Sequence, residues 1–173
     1  VDTHIALTTV PALHTPRLAL EPAPAEHRAV AAHSCVTAGL APAPGLSACR
    51  GCWTGHDAGG VVGWWALATP VLPDQGPPGG QAQLLCEVAP GRRGHGLGGE
   101  GAWALLEHAF ATLRLLRVFA EADVDDERSR RFAERLGMTY VRSFHRCVER
   151  GRETACVEYA LSWTRWQVQA GGS

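Results

Sequence analysis

Pro90-Gly91-Arg92-Arg93-Gly94-His95-Gly96-Leu97-Gly98-Gly99-Glu100 is the stretch on which the reading of this chain turns. Before it runs QAQLLCEVA, residues 81–89, an apolar segment with the length of a central strand. After it, residues 100–116 carry Ala102, Leu106, Ala109, Leu113 and Leu116 at spacings of four and three, the pattern of an amphipathic helix. Strand, glycine-rich turn and helix in that order make an anion cradle. Glycines let backbone N–H groups come close to a ligand, and the helix start adds unpaired donors and a positive dipole end. The expected ligand group is a pyrophosphate, with Arg92 and Arg93 as anion contacts and His95 as a spacer facing solvent.

Two cofactor classes carry a pyrophosphate. Gly94-x-Gly96-x-x-Gly99 matches the dinucleotide fingerprint, and Glu121 lies about 20 residues on, where a ribose-binding acid would stand. That reading makes an oxidoreductase. Against it, Pro90-Gly91-Arg92-Arg93 separates the strand from the first glycine. The chain beyond Glu121 is also too short, and too rich in hairpin signals, for the remaining βαβ units.

Working outward, residues 15–22 read as a first strand and 24–34 as a helix with Pro24 in its first turn. Residues 36–51 read as a loop. Residues 52–56 and 60–69 read as the arms of a hairpin around Asp57-Ala58-Gly59. VLPDQGPPGG, 71–80, reads as a mobile loop. Val118–Ala120 is a short buried strand. Asp125 or Asp126 caps a helix that carries Phe132 and Leu136 on one face and stops at Gly137. Residues 139–147 and 154–162 form two last strands around Arg150-Gly151-Arg152.

The 173 residues suit one domain, 1–173, and 46% hydrophobic residues suffice for a core. A net charge of -1 gives no electrostatic footprint for nucleic acid or an anionic membrane. No run of about 18 apolar residues is present, and residues 1–18 do not follow the signal-peptide pattern. A cytoplasmic setting is expected. Cys49 and Cys52 form a CxxC without a second pair at matching spacing, so reduced thiols and no metal are expected. Trp163 and Trp166, near the C-terminus, suggest a homodimer contact.

Arg93-x-x-Gly96-x-Gly98 resembles the R/Q-x-x-G-x-G/A motif of the GNAT superfamily of acyl-CoA N-acyltransferases. HTPRLALEPA (14–23), EGAWALLEHAFATLRLLRVFAEADVDDERSRRFAERLGM (100–138) and TACVEYALSWTRW (154–166) resemble segments of its ribosomal-protein-alanine N-acetyltransferase (RimJ/RimL-like) branch. The resemblance covers about 150 residues and is weakest over 35–80. It implies an α/β (α+β) fold with a mixed, twisted sheet of six or seven strands flanked by about four helices. It implies a gap between the fourth and fifth strands, near Glu87–Ala89 and Phe119–Glu121. Acetyl-CoA would lie there as acyl donor, its pantetheine on the backbone of Val88 and Ala89 and its pyrophosphate on Arg93, Gly94, His95, Gly96, Leu97, Gly98 and Gly99.

The implied reaction is direct acetyl transfer to an amine, either a small molecule or a protein N-terminus. A tyrosine often protonates the leaving thiolate in this superfamily, but its position falls on Ala133. The branch's N-x-x-S motif offers Ser129 instead, which otherwise is a first-turn helix residue. The motif's Asn is Asp126 here, either a pantetheine contact or an N-cap. The base is left among Glu149, Glu87, His145 and a water chain, with Glu149 favoured over Glu87. A catalytically silent acyl-CoA sensor is the alternative function.

Overall fold

The computed structural model describes residues 10–23, 49–70, 72–148 and 152–171. The helix expected at 24–34, most of the loop expected at 36–51, and Glu149 lie outside them. The strands are β1 (Leu13–His14), β2 (Ala19–Pro22), β3 (Cys49–Asp57), β4 (Gly60–Ala68), β5 (Gln81–Val88), β6 (Arg117–Asp123), β7 (Thr139–Val148) and β8 (Arg152–Ser162). The helices are α1 (Leu97–Glu107), α2 (Glu127–Arg135) and α3 (Trp163–Ala170). Among the described residues the strands form one mixed eight-stranded sheet, ordered β1-β2-β3-β4-β5-β6-β8-β7. Of these described strands only β5 and β6 pair in parallel. The class matches the expectation, with more strands than the six or seven expected and three helices in the described residues against about four. No helix there is long and apolar enough to cross a membrane.

Three local departures have physical causes. The strand expected at 15–22 starts only at Ala19, because Thr15 N–H bonds the Leu18 carbonyl at 2.9 Å and Pro16 sits inside that turn, which joins β2 to the short β1 before it. The helix expected at 100–116 starts earlier, at Leu97, and stops earlier. After Glu107 it widens to one π turn, with Leu113 N–H reaching His108 O at 2.9 Å. Arg114 then takes φ 55° and Leu115 N–H bonds Ala109 O at 3.0 Å, a Schellman-type stop without the usual glycine. Leu116 is therefore 68% exposed and off the buried stripe. The 72–80 loop, expected to be mobile, is tied down: Gln75 is buried, Gln81 Nε2 donates to the Gln75 and Pro77 carbonyls, and Arg50 Nη2 donates to Pro78 O.

The main core lies between one face of the sheet and the helices. Trp53, Trp65, Leu67, Leu84, Val118 and Leu161 meet Leu105, Leu106, Phe110 and Leu136 there. Each such side chain contributes roughly 1.5–3 kcal/mol on burial. Trp163 and Trp166, expected at a dimer contact, are engaged within the chain. They stack with centroids 5.5 Å apart, and Trp166 lies 5.4 Å from Phe110. The opposite face changes character along the sheet. Across β3–β5 it carries Cys52, Trp64, Ala66 and Leu85. Across β6, β8 and β7 it carries a network of charged side chains.

Candidate active site

The parallel pairing of β5 and β6 is short. It runs from Gln81↔Arg117 to Gln83↔Phe119 and then ends, while both strands continue. Right-handed twist separates strands that no longer hydrogen-bond, and a gap opens from Leu84 and Ala120 onward. Ala89 N–H donates to Val62 O at 2.9 Å, towards β4. Backbone groups alternate sides along an antiparallel ladder, so those of Cys86 and Val88 aim at the gap. The expectation of Val88 and Ala89 as gap-facing backbone is thus half corrected. Ala89 is also engaged through its carbonyl, which accepts from Arg92 N–H at 2.8 Å, and Cys86 takes its place. The Val88 carbonyl accepts from Arg93 Nε at 2.8 Å.

The glycine loop crosses the mouth of this gap. Gly94 and Gly96 hold φ 85° and 78°, left-handed values that disfavour other residues. Gly96 is the N-cap of α1 and its carbonyl receives Glu100 N–H at 3.1 Å. Leu97, Gly98 and Gly99 therefore keep first-turn N–H groups without helical partners. A Cβ at Gly98 would lie 3.1 Å from Val88 Cγ2 and 3.6 Å from Phe132, so loop, β5 and α2 converge at this point. Trp65 Nε1 holds the Gly98 carbonyl at 3.0 Å from below. A Cβ at Gly101 would collide with the Trp65 ring. Burial works against the charge of Glu100 in this first turn. Hydrogen bonds from Thr15 and Arg17 outweigh it and hold the carboxyl below its ordinary value.

The two loop arginines have protein partners. Arg92 pairs with Asp57 at the β3–β4 turn, and with His95 and Arg17 it lines an open groove of about 590 Å³. Arg93 folds back on β5, its Nη2 3.9 Å from Glu87. Glu87 is 59% exposed, on the sheet face away from α1. His145 on β7 is exposed.

Asp126 and Ser129 form one unit at the start of α2. Asp126 is the N-cap and accepts from Ser129 N–H at 3.0 Å and from the Ser129 hydroxyl at 2.6 Å. Those bonds hold its carboxyl below the ordinary 3.8. The hydroxyl proton expected to face a leaving sulfur is directed at Asp126 in this arrangement, and a rotation about Cβ–Oγ is needed to release it.

A charged network on the open sheet face escaped the sequence reading. Glu158, 3% exposed, receives Arg117 on one oxygen and Arg142 Nε on the other at 2.8 Å. Arg142 also reaches Asp74. Glu121 receives Arg146 Nη2 at 2.7 Å and Gln75 Nε2 at 3.2 Å. Arg117 lies over Phe119, and Arg142 and Arg146 over Phe144, so the guanidinium faces are covered by aromatic rings. Glu121 stands at the expected gap, just past the end of the β5–β6 pairing, and its partners Arg146 and Gln75 are what the sequence pattern does not show.

Chemically, the loop can take a phosphate on backbone donors, and the gap can take an extended ligand on the Cys86 and Val88 backbone. Among the described residues no group of three or more His, Cys, Asp or Glu could hold a metal ion. The chain is 28% identical over 188 residues to FsC-acetyl coenzyme A-N(2)-transacetylase of Aspergillus fumigatus, covering 90% of this chain and 78% of that one. Its fold is similar to spermidine/spermine N-acetyltransferase of Vibrio cholerae (TM-score 0.66, 12% identity, 89% of this chain and 97% of that one). It is also similar to an acetyltransferase of the GNAT family from Bacillus anthracis (TM-score 0.63, 17% identity, 89% and 99%). An acetyltransferase (GNAT) domain model matches residues 17–139, and over that extent the chain belongs to the GNAT family of acetyltransferases.

Proposed function

We propose that the chain moves the acetyl group of acetyl-CoA directly onto a primary amine, either a small molecule or a protein N-terminus. The carrying observation is the gap that opens after Gln83↔Phe119 beside the glycine loop. Pantetheine lies along the Cys86 and Val88 backbone, and the pyrophosphate meets the N–H groups from Gly96 to Gly99. The acetyl end then faces the charged side of the sheet. Direct transfer is favoured over an acyl-enzyme because the half-buried Cys86 side chain packs against the core, and this burial pushes its thiol up to about 12. Two relatives are named for N-acetylation, one at an N(2) position and one of spermidine and spermine. The sequence resemblance to the RimJ/RimL-like branch favours an α-amine, such as a protein N-terminus.

The test is thiol release from acetyl-CoA across a panel of α-amino compounds, polyamines and N-terminal peptides. A rate that rises as the amine deprotonates supports transfer. Binding of acetyl-CoA, seen as a raised melting temperature, with no turnover on any acceptor makes the chain a sensor instead.

A further inference from the structure

Glu121 stands on β6 two residues past the last one paired with β5, where the gap has begun. Its side chain is on the charged face and 12% exposed. Both of its bonds fall on one oxygen: Oε1 accepts from Arg146 Nη2 at 2.7 Å and from Gln75 Nε2 at 3.2 Å. Oε2 accepts no hydrogen bond from the described residues. Arg146 is itself only 8% exposed and has few alternatives, its other ion-pair contact being Asp74 at 3.5 Å. Gln75 is buried, and its position is set by Gln81 and the Leu72 N–H. One carboxylate oxygen is thus clamped from β7 and from the 72–80 loop, and the other is left for a ligand.

We propose that Glu121 takes the proton from the acceptor amine, with Arg146 and Gln75 as positioning residues that hold Oε1 and leave Oε2 for the amine or an intervening water. The assignment rests on the N-acetyl transfer proposed above. In the step, the amine nitrogen bonds to the thioester carbonyl carbon. The C–S bond breaks with its pair going to sulfur. The N–H proton passes to Glu121 Oε2 and on to solvent, and the thiolate takes a proton from solvent, either directly or through the Ser129 hydroxyl, which regains one from water in the same step. The groups that face Glu121 are Arg117 and Asp123 on its own strand, Cys156 and Glu158 on β8, Arg142 and Arg146 on β7, and Asp74 on the loop. Burial raises the proton affinity of the carboxyl, Arg146 and Gln75 lower it, and Glu158 and Asp74 raise it. The net rise brings the group closer to the pH range where a general base is effective.

The experiment is thiol release against pH for the parent, Glu121→Gln, Glu121→Asp and Arg146→Gln, using the best acceptor of the panel above, with acetyl-CoA thermal shifts for each. Glu121→Gln is expected to keep the thermal shift and to lower kcat by roughly 10²–10³-fold, within the usual scale for a positioned base. It should also lose the acidic limb of the pH profile. Glu121→Asp should retain that limb. Arg146→Gln should move the limb to higher pH, because a neighbouring positive charge that favours the carboxylate has gone, and a purely structural role would leave the limb in place. A Glu121→Gln enzyme with the parent rate and parent limb overturns the proposal while leaving acetyl transfer intact. A folded Glu121→Gln protein that loses the acetyl-CoA thermal shift overturns it too, since the residue would then serve donor binding. If the parent itself releases no thiol with any amine, the transfer reading falls, and this inference with it.

Discussion

Under α1 the sheet presents Trp65, Leu67, Leu84, Val118 and Leu161; on the opposite side, across β6, β8 and β7, it presents Arg117, Glu121, Glu158, Arg142 and Arg146. The first group is held by close packing, whose strength grows with the apolar area removed from water. The second is held by directed pairs whose partners must all be present, because a buried charge without its partner is costly. The apolar side supports the glycine loop through Trp65, and the charged side borders the other end of the same gap. On the reading proposed above, rigidity for donor binding and tunable chemistry for the acceptor lie on opposite sides of one sheet.

The strongest way to break this contrast is Trp65→Ala. It removes a fully buried ring that also holds the Gly98 carbonyl. A loss of about 3–5 kcal/mol is expected, read as a melting temperature lower by roughly 10 °C or more. If the loss is instead below that of the next variant, packing is not what distinguishes the apolar side. Glu158→Gln removes the charge shared by Arg117 and Arg142. Both arginines retain some exposure, so the expected cost is smaller, about 2–3 kcal/mol in denaturant unfolding. Adding salt to the unfolding titration should narrow the difference only slightly, since Glu158 is buried.

Gly96→Val tests the loop directly. Forcing a β-branched residue to φ 78° costs roughly 1–2 kcal/mol, and the added carbons obstruct phosphate at the α1 N-terminus. The acetyl-CoA thermal shift should disappear, and a normal shift would move the phosphate site elsewhere. The smallest effect is expected from Asp126→Ala, which removes an N-cap worth about 1 kcal/mol at neutral pH. The folded carboxyl titrates below its ordinary 3.8, so its contribution is present above that value and is lost as pH falls through the lowered one. Melting curves of parent and variant should therefore converge in acid and separate near pH 7.

What could be read in advance was local. Gly94 and Gly96, the Asp57-Ala58-Gly59 turn, the Asp126 cap and the Gly137 stop each depend on residues within a few positions of one another. The charged network depends on Asp74, Glu121, Arg146 and Glu158, which are far apart in sequence and meet only because β8 lies between β6 and β7. No periodicity marks such partners. The end of α1 was misplaced because Leu113 and Leu116 continue the helical spacing, while the π turn and the left-handed Arg114 rotate Leu116 out of register. Glu87, a candidate base if strand alternation turns it to the gap, shares the sheet face of Glu121 and stands 59% exposed beside Arg93.

The early end of the β5–β6 pairing has a consequence for handling the protein. A sheet normally has two edges, and among the described strands both outer ones are blunted: β1 is two residues long, and β7 carries an irregularity between Tyr140 and Arg142 together with charged side chains. The divergence after Gln83 and Phe119 creates two more edges inside the sheet, one on each strand, with no charged or bulged device of that kind on the Leu84–Cys86 stretch. Unpaired strand edges invite self-association, so light scattering on gentle warming should rise later when acetyl-CoA or free CoA is added, and by more than the shift in melting temperature alone accounts for.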